Sequence, residues 1–229
     1  MKNKKYTKKD IIKILYLNAE EYEENLLDKN IMFIYKNGKT NSMHYIETIF
    51  NDYNFLHLTG MKYKKGAIKF FKSCRRKNLQ DKDVEIRNEI FTALKLEVLE
   101  SAMAINKSAK RIGIYNDNKS NIKIERVIGK MHCWIGFSNL KQNNEKMKYY
   151  YPKTLIQDDF RKNVTEENKI IAILSKNKND KLYNEITYLS KNTTLARLKE
   201  ENQILEKIDY QNLKSKSPQY QKRIEKEIK

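Results

Sequence analysis

Three histidines, at positions 44, 57 and 132, are the side chains of this sequence that titrate near neutrality without help from a neighbour. His57 stands in the run Phe55-Leu56-His57-Leu58-Thr59-Gly60, where apolar and polar residues alternate. Read as a strand, the run turns Leu56 and Leu58 to a core and sets His57 and Thr59 side by side on the opposite face. An imidazole beside a hydroxyl can take and return a proton, the task of a general acid or base. The plainer alternative is a surface histidine hydrogen-bonded to Thr59. His132 adjoins Cys133, and neighbours on a strand point to opposite faces, so that pair cannot hold one metal ion.

A second group lies near the end of the patterned region. The run 170–174 is apolar throughout, as a strand buried on both faces would be. It delivers Ser175 and Lys176 at its carboxyl end, and Tyr183 follows across a turn. Lysine, serine and tyrosine from neighbouring strand ends can clamp a phosphate and stabilise charge developing on it. The turn 177–181 reads as solvated, with Lys181 offering a further phosphate contact.

Two segments suit a nucleic acid. In Lys148-Tyr149-Tyr150-Tyr151-Pro152-Lys153 the lysines can meet phosphates while Tyr150 stacks on a base, although alternation buries at least one of the tyrosines. Arg75-Arg76-Lys77 ends a helical stretch, where cations complement the helix dipole and reach a phosphate. Phosphate-loop, dinucleotide-binding and zinc spacings are missing, so neither cofactor nor metal is expected.

The whole chain carries the same sign. Its 229 residues hold 47 Lys+Arg against 29 Asp+Glu, a formal net charge of +18. Lysine-, asparagine-, isoleucine- and tyrosine-heavy usage also follows from an AT-rich genome, but the asymmetry exceeds what a soluble surface needs. The expected partner is RNA or a ribonucleoprotein complex. Two cysteines in unrelated contexts make no disulfide framework and point to a reducing cytoplasm. No stretch is apolar enough for a membrane span.

Local periodicity supplies the elements that must hold these residues. Thr7 caps a helix over about 8–28, with Ile11, Leu15, Tyr22 and Leu26 on one stripe. NIMFIY, the turn signal Asn37-Gly38 and the segment 42–50 read as a hairpin, with a helix as the alternative for the second arm. Helices follow over 64–76 and about 87–107. From Arg111 short alternating runs between Asn, Asp, Gly and Lys give a meander of five or six antiparallel strands. The class is α+β: N-terminal helices packed on an antiparallel sheet, with an amphipathic C-terminal helix. Residues 1–191 form the domain and 192–229 the helix and charged tail. In that helix, residues 195–208, the stripe Leu195, Leu198, Ile204, Leu205 and Ile208 packs on the body or serves a protein partner. The last dozen residues are expected to fray.

The order of these pieces resembles a phage and mobile-element family, one of the predicted nucleases grouped with barnase, EndoU, the colicin tRNases and RelE. The resemblance rests on Phe55-Leu56-His57-Leu58-Thr59-Gly60, Phe70-Phe71-Lys72-Ser73-Cys74, Tyr151-Pro152-Lys153-Thr154-Leu155 with Asp158-Asp159, Ile173-Leu174-Ser175-Lys176 and Lys181-Leu182-Tyr183. It spans roughly residues 10–190. It implies metal-independent RNA cleavage by the neighbouring 2′-hydroxyl, with His57, Thr59, Lys176 and Tyr183 as the catalytic positions carried over. A second acid or base is not evident in the sequence. The competing expectation is a non-catalytic phage-encoded inhibitor that grips a host ribonucleoprotein or defence complex through the same basic surface.

Overall fold

The computed structural model describes residues 6–116, 123–142 and 145–228. In chain order the elements are α1 (Lys8–Asn25), β1 (Lys29–Lys36), β2 (Met43–Ile49), α2 (Asn54–Thr59), β3 (Met61–Tyr63), α3 (Ala67–Arg75), β4 (Val84–Ile86), α4 (Glu89–Met103) and α5 (Ile105–Ser108). Then come β5 (Arg111–Tyr115), β6 (Arg126–Gly129), β7 (Trp134–Gln142), β8 (Glu145–Ile156), β9 (Val164–Asn177), β10 (Glu185–Leu189), α6 (Leu195–Lys199), α7 (Asn202–Leu205) and α8 (Pro218–Ile228). None of the described helices is long and apolar enough to cross a membrane.

Local chemistry explains most boundaries. Thr7 and Asp10 form a reciprocal capping box at the start of α1, the Thr7 hydroxyl accepting from the Asp10 N–H and the Asp10 carboxylate from the Thr7 N–H. The β1–β2 hairpin closes through a longer loop than the Asn37-Gly38 signal suggests. The Asn37 side-chain oxygen accepts from the Lys39 and Thr40 N–H groups, and Asn41 takes the left-handed conformation at φ 62°.

The sheet departs from the expected plain antiparallel layer. Its strands run β1-β2-β8-β7-β6-β5-β9, and β9 pairs with β1 again, closing a seven-stranded barrel with β10 added along β9. Every pairing is antiparallel except β2 with β8, which is parallel at Glu47↔Tyr149 and Thr48↔Tyr150. The architecture is α+β, but it is a mixed closed barrel capped by helices, not helices laid on an open antiparallel sheet. Strand β9 makes closure possible: it pairs with β5 through its first half, with β1 through its second, and with β10 along the remaining edge. Register shifts between Ile34 and Tyr35, and between Ile114 and Tyr115, bend the ladders as closure requires.

One apolar cluster draws buried side chains from all seven barrel strands, among them Ile31 and Phe33 of β1, Ile46 of β2, Ile112 of β5, Ile128 of β6 and Phe137 of β7. Only the interior brings seven strands together, so this is the inner face. Helices plug one end. Tyr22 of α1 packs on Phe50 and on Phe55 of α2, at 6.2 and 5.3 Å between ring centroids, and Phe50 meets Phe137 at 5.9 Å.

A second core lies outside the barrel. Met32, Ile34, Leu174, Ile186 and Leu189 are covered by Leu195, Leu198, Ile204, Ile208, Leu213 and Ile224 from the C-terminal segment. Its stretch 195–208 is two short helices, not one amphipathic helix, because the chain bends at Glu200 and Glu201 between α6 and α7. Its end forms α8 where fraying was expected, for Ile224 is 2% exposed. Beneath it the Glu47 carboxylate, 3% exposed, accepts from the Tyr183 hydroxyl at 3.0 Å and pairs with the Lys207 ammonium at 3.0 Å.

Candidate active site

The end of the barrel facing away from the helical plug is polar. Alternation along each strand places Tyr35 beyond Ile31 and Phe33 on β1, with His44 as its direct cross-strand partner on β2. On the opposite wall Arg126 of β6 and Glu166 of β9 both pair with Ile114 of β5, so their side chains share the inner face. These residues, with Asn168, line one cavity of about 130 Å³. Isoleucines and phenylalanines thus give way, within one strand repeat, to an imidazole, a phenol, a guanidinium and a carboxylate.

The mouth is fixed by backbone chemistry. The rings of Tyr35 and His44 lie 5.8 Å apart and tilted by 31°, and the His44 Nε2 shares a 2.9 Å hydrogen bond with the Ser42 hydroxyl. The Gly38 N–H donates to the Asn168 side chain at 3.1 Å, tying the hairpin loop to β9. Gly113 sits where β5 and β9 come close. A Cβ there would lie 2.6 Å from the Glu166 carbonyl oxygen, so the absence of a side chain lets Glu166 take its place. Burial holds the Tyr35 phenol above its usual range, against the opposing pull of Arg126, and Tyr150 and Glu166 add to the rise. His44 and Glu166 are exposed and Arg126 is half-buried, so the cavity is open to a solute.

A family model described as phage-Barnase-EndoU-ColicinE5/D-RelE like nuclease4 matches residues 14–192. The chain belongs to this nuclease family. The resemblance drawn from sequence order is therefore correct, and the match takes in the whole barrel, α1 from residue 14 onward and α2 to α5, while leaving out α6 to α8. No curated protein and no solved structure matches the chain.

Within this nuclease fold the residues singled out from sequence fall in separate places. The run holding His57 and Thr59 is a helical turn, α2, closed by Gly60 in the left-handed conformation at φ 76°. The shared strand face therefore does not exist. Thr59 is buried, its hydroxyl donating to the Leu56 carbonyl and accepting from the Met61 N–H. His57 is exposed, and its imidazole is held below the usual range by partial loss of its contact with water and then by Lys153, Arg87 and Lys95. Lys95 itself is lowered to about 8, mainly by burial and also by Arg87, and donates to Thr154 and to the His57 carbonyl. His57 thus belongs to a cluster of cations on the outer wall.

Lys176 and Tyr183 do meet, with the ammonium 5.0 Å from the ring centroid, outside the barrel. Lys176 is 6% exposed and donates to the carbonyl of Lys181, whose own side chain is exposed. Arg75 is engaged by Glu20 and Glu23 of α1, whereas Arg76 is exposed. Tyr150 is half-buried beside the mouth, Lys153 lies 5.2 Å from the Tyr151 ring, and the side chain of Lys148 falls outside the described residues. Among the described residues no group of three or more His, Cys, Asp and Glu side chains converges as a metal site.

Sequence reasoning passed over Tyr35, His44, Arg126 and Glu166. A signal for half of the site was present, since a hairpin pairing of NIMFIY with the segment 42–50 sets Tyr35 against His44. Nothing local to Arg126 or Glu166 marks them, because their partner strands are distant in the chain.

Proposed function

We propose that this protein is an RNA-directed, metal-independent endonuclease of a phage or mobile element, with its cleavage centre at the polar mouth of the barrel. The observation that carries this reading is the presence of an imidazole, a carboxylate and a guanidinium in one open cavity on paired strands. The Glu166 carboxylate takes the proton of the ribose 2′-hydroxyl. The freed oxygen attacks the adjacent phosphorus. Arg126 faces the charge that builds on the non-bridging oxygens. His44, in its protonated form, gives its proton to the departing 5′-oxygen. The products are a 2′,3′-cyclic phosphate and a free 5′-hydroxyl, and every proton has a donor and an acceptor. The requirement for a 2′-hydroxyl selects RNA over DNA.

The net charge of +18 supports a polyanionic substrate. The cations around His57, with Lys153 and Arg76, supply phosphate contacts away from the cleaved bond. Incubation of the purified protein with total RNA, with and without EDTA, tests the reading directly. Cleavage is expected in both conditions, with cyclic phosphate ends, and Glu166→Gln or His44→Ala should slow it by roughly 10²-fold or more. RNA that is bound yet left whole by the wild-type protein would sink the enzyme and leave an inhibitor of a host ribonucleoprotein as the better description.

A further inference from the structure

Residues 37–42 join β1 to β2 and lead straight into His44. Hydrogen bonds fix this loop at several points. The Asn37 N–H donates to the Ser42 carbonyl at 2.9 Å, and the Asn41 N–H to the Asn37 carbonyl at 3.0 Å. The Asn37 side-chain oxygen takes the Lys39 and Thr40 N–H groups at 2.8 and 3.2 Å. Asn168 of β9 holds the Gly38 N–H at 3.1 Å, and on the other side the Met43 N–H donates to the Glu201 carboxylate at 3.5 Å. The backbone before His44 is thus set by its own loop, by β9 and by the C-terminal segment.

Two hydroxyls stand on this fixed backbone. Those of Thr40 and Ser42 share a hydrogen bond at 2.6 Å, and the Ser42 hydroxyl meets the His44 Nε2 at 2.9 Å. The Tyr35 ring flanks the same imidazole, 5.8 Å between centroids. A ring neighbour and an edge contact together settle where the imidazole lies.

The hydrogens of this chain can be counted. A protonated imidazole carries a proton on each nitrogen, so its Nε2–H has to donate to the Ser42 oxygen. Ser42 then gives its own proton to the oxygen of the exposed Thr40. If the ring loses its proton from Nδ1, each of these bonds stays as it is. If the proton leaves from Nε2, the Ser42 hydroxyl has to reverse and the Thr40 hydroxyl with it. The arrangement therefore favours traffic at Nδ1.

We propose that Ser42 is the positioning residue of His44, holding the Nε2–H edge of the ring so that Nδ1 gives its proton to the departing 5′-oxygen. The Nδ1–H bond breaks and leaves its electron pair on the ring, the O–H bond of the 5′-hydroxyl forms, and Nε2–H stays on Ser42. This rests on the reading of His44 as the acid of the barrel mouth. Ser42 itself touches no reacting atom. Without its hydroxyl the imidazole is free to change rotamer and to turn either nitrogen to the cavity.

Two measurements on the full chain test this, and one of them needs no cleavage. The first compares RNA turnover by the wild type, Ser42→Ala and Ser42→Thr. Loss of the hydroxyl should lower kcat by about tenfold or more and leave KM within about twofold, because the aim of the ring counts in the transition state and not in binding. Threonine keeps the hydroxyl and should bring kcat back to within about threefold of the wild type. Ser42 is half-buried, and the unfolding temperature of both variants should hold. An unchanged kcat in Ser42→Ala, or an equal loss in Ser42→Thr, would overturn the proposal.

The second measurement follows the ring nitrogens of isotope-labelled histidine by NMR, with His57→Gln and His132→Gln assigning the signals. The neutral His44 ring should carry its proton on Nε2. That proton should be visible in the wild type and Ser42→Thr and lost to exchange with water in Ser42→Ala. A neutral ring protonated on Nδ1, or the same behaviour in the wild type and Ser42→Ala, would overturn the anchoring. A wild-type protein that cuts no RNA but shows the Nε2 proton held by Ser42 would sink the reading of the mouth and keep the anchor.

Discussion

Replacing Lys207 by methionine should show whether the C-terminal segment is part of the folded unit. The substitution keeps the aliphatic stem and removes the ammonium 3.0 Å from a carboxylate that is itself 3% exposed. At that separation the gross attraction is roughly 5–6 kcal/mol for an effective dielectric of about 20. The net effect is smaller, because Lys207 retains 22% side-chain exposure and the Tyr183 hydroxyl stays in place as a donor. Breaking a fully buried pair costs about 3–5 kcal/mol, so a loss of about 2–3 kcal/mol is expected here. Part of it is the contact of the ammonium with the Tyr45 ring, 5.0 Å to the centroid. Urea unfolding of the wild type, Lys207→Met, Glu47→Gln and the double variant reads this as a cycle. The double variant should be more stable than Lys207→Met alone, since the charge stranded in the interior is then gone. A Lys207→Met loss under about 0.5 kcal/mol, or a double variant equal to the sum of the singles, would refute the clamp.

Two further outcomes follow from the description of the outer wall and the core. His57→Gln should leave turnover unchanged and weaken RNA binding. It should also flatten the stability profile in mild acid: the folded imidazole titrates below the unfolded one, so its contribution is complete above about pH 6.5 and is lost as pH falls from there through the lower folded value. Thermal unfolding at pH 7.5 and 5.5 measures this, and an unchanged difference between the two proteins would count against the cation cluster. Cys74 and Cys133 are both buried, burial pushing the Cys133 thiol up to about 11 and the Cys74 thiol higher still. A thiol reagent should label neither in the native protein and both in denaturant; rapid native labelling would show that the core opens.

The local period of the sequence carried far. The stripe of α1, the β1–β2 hairpin, the helical stretches now seen as α3 and α4, and the six strands after Arg111 are each written in a few neighbouring residues. The segment of α2 misleads for a physical reason. Four residues of alternation fit a strand and a short helix equally, and a following glycine ends either one. Gly60 here serves as a helix cap. Closure of the barrel was not legible, because alternation reports which face a residue occupies and not which strand lies beside it. The parallel contact of β2 with β8 joins residues 47 and 149, a pairing no local rule foresees. The mouth inherits the same difficulty, since its four chemical groups come from four strands and look ordinary one by one. The C-terminal stripe was legible as amphipathic. That it would be cut into two turns and folded back over β1, β9 and β10 depends on the surface waiting there.

Strand β9 has a consequence for how the molecule comes into being. It is the seam along which β1, β5 and β10 are joined, and of the sheet's described strands only β10 follows it in the chain. The hairpin loop at Gly38 waits for Asn168, 130 residues later, an interval of roughly 6–26 s at ordinary rates of synthesis. Until then the inner faces of β1 and β2 have no lasting partner, and such distant pairings also close slowly. His44 is made long before Glu166, and the two face one cavity only after the seam has formed. A chain growing on a ribosome, surrounded by RNA, thus carries its imidazole without the carboxylate until β9 emerges. Any activity that needs both begins only once β9 has been made and the seam has closed.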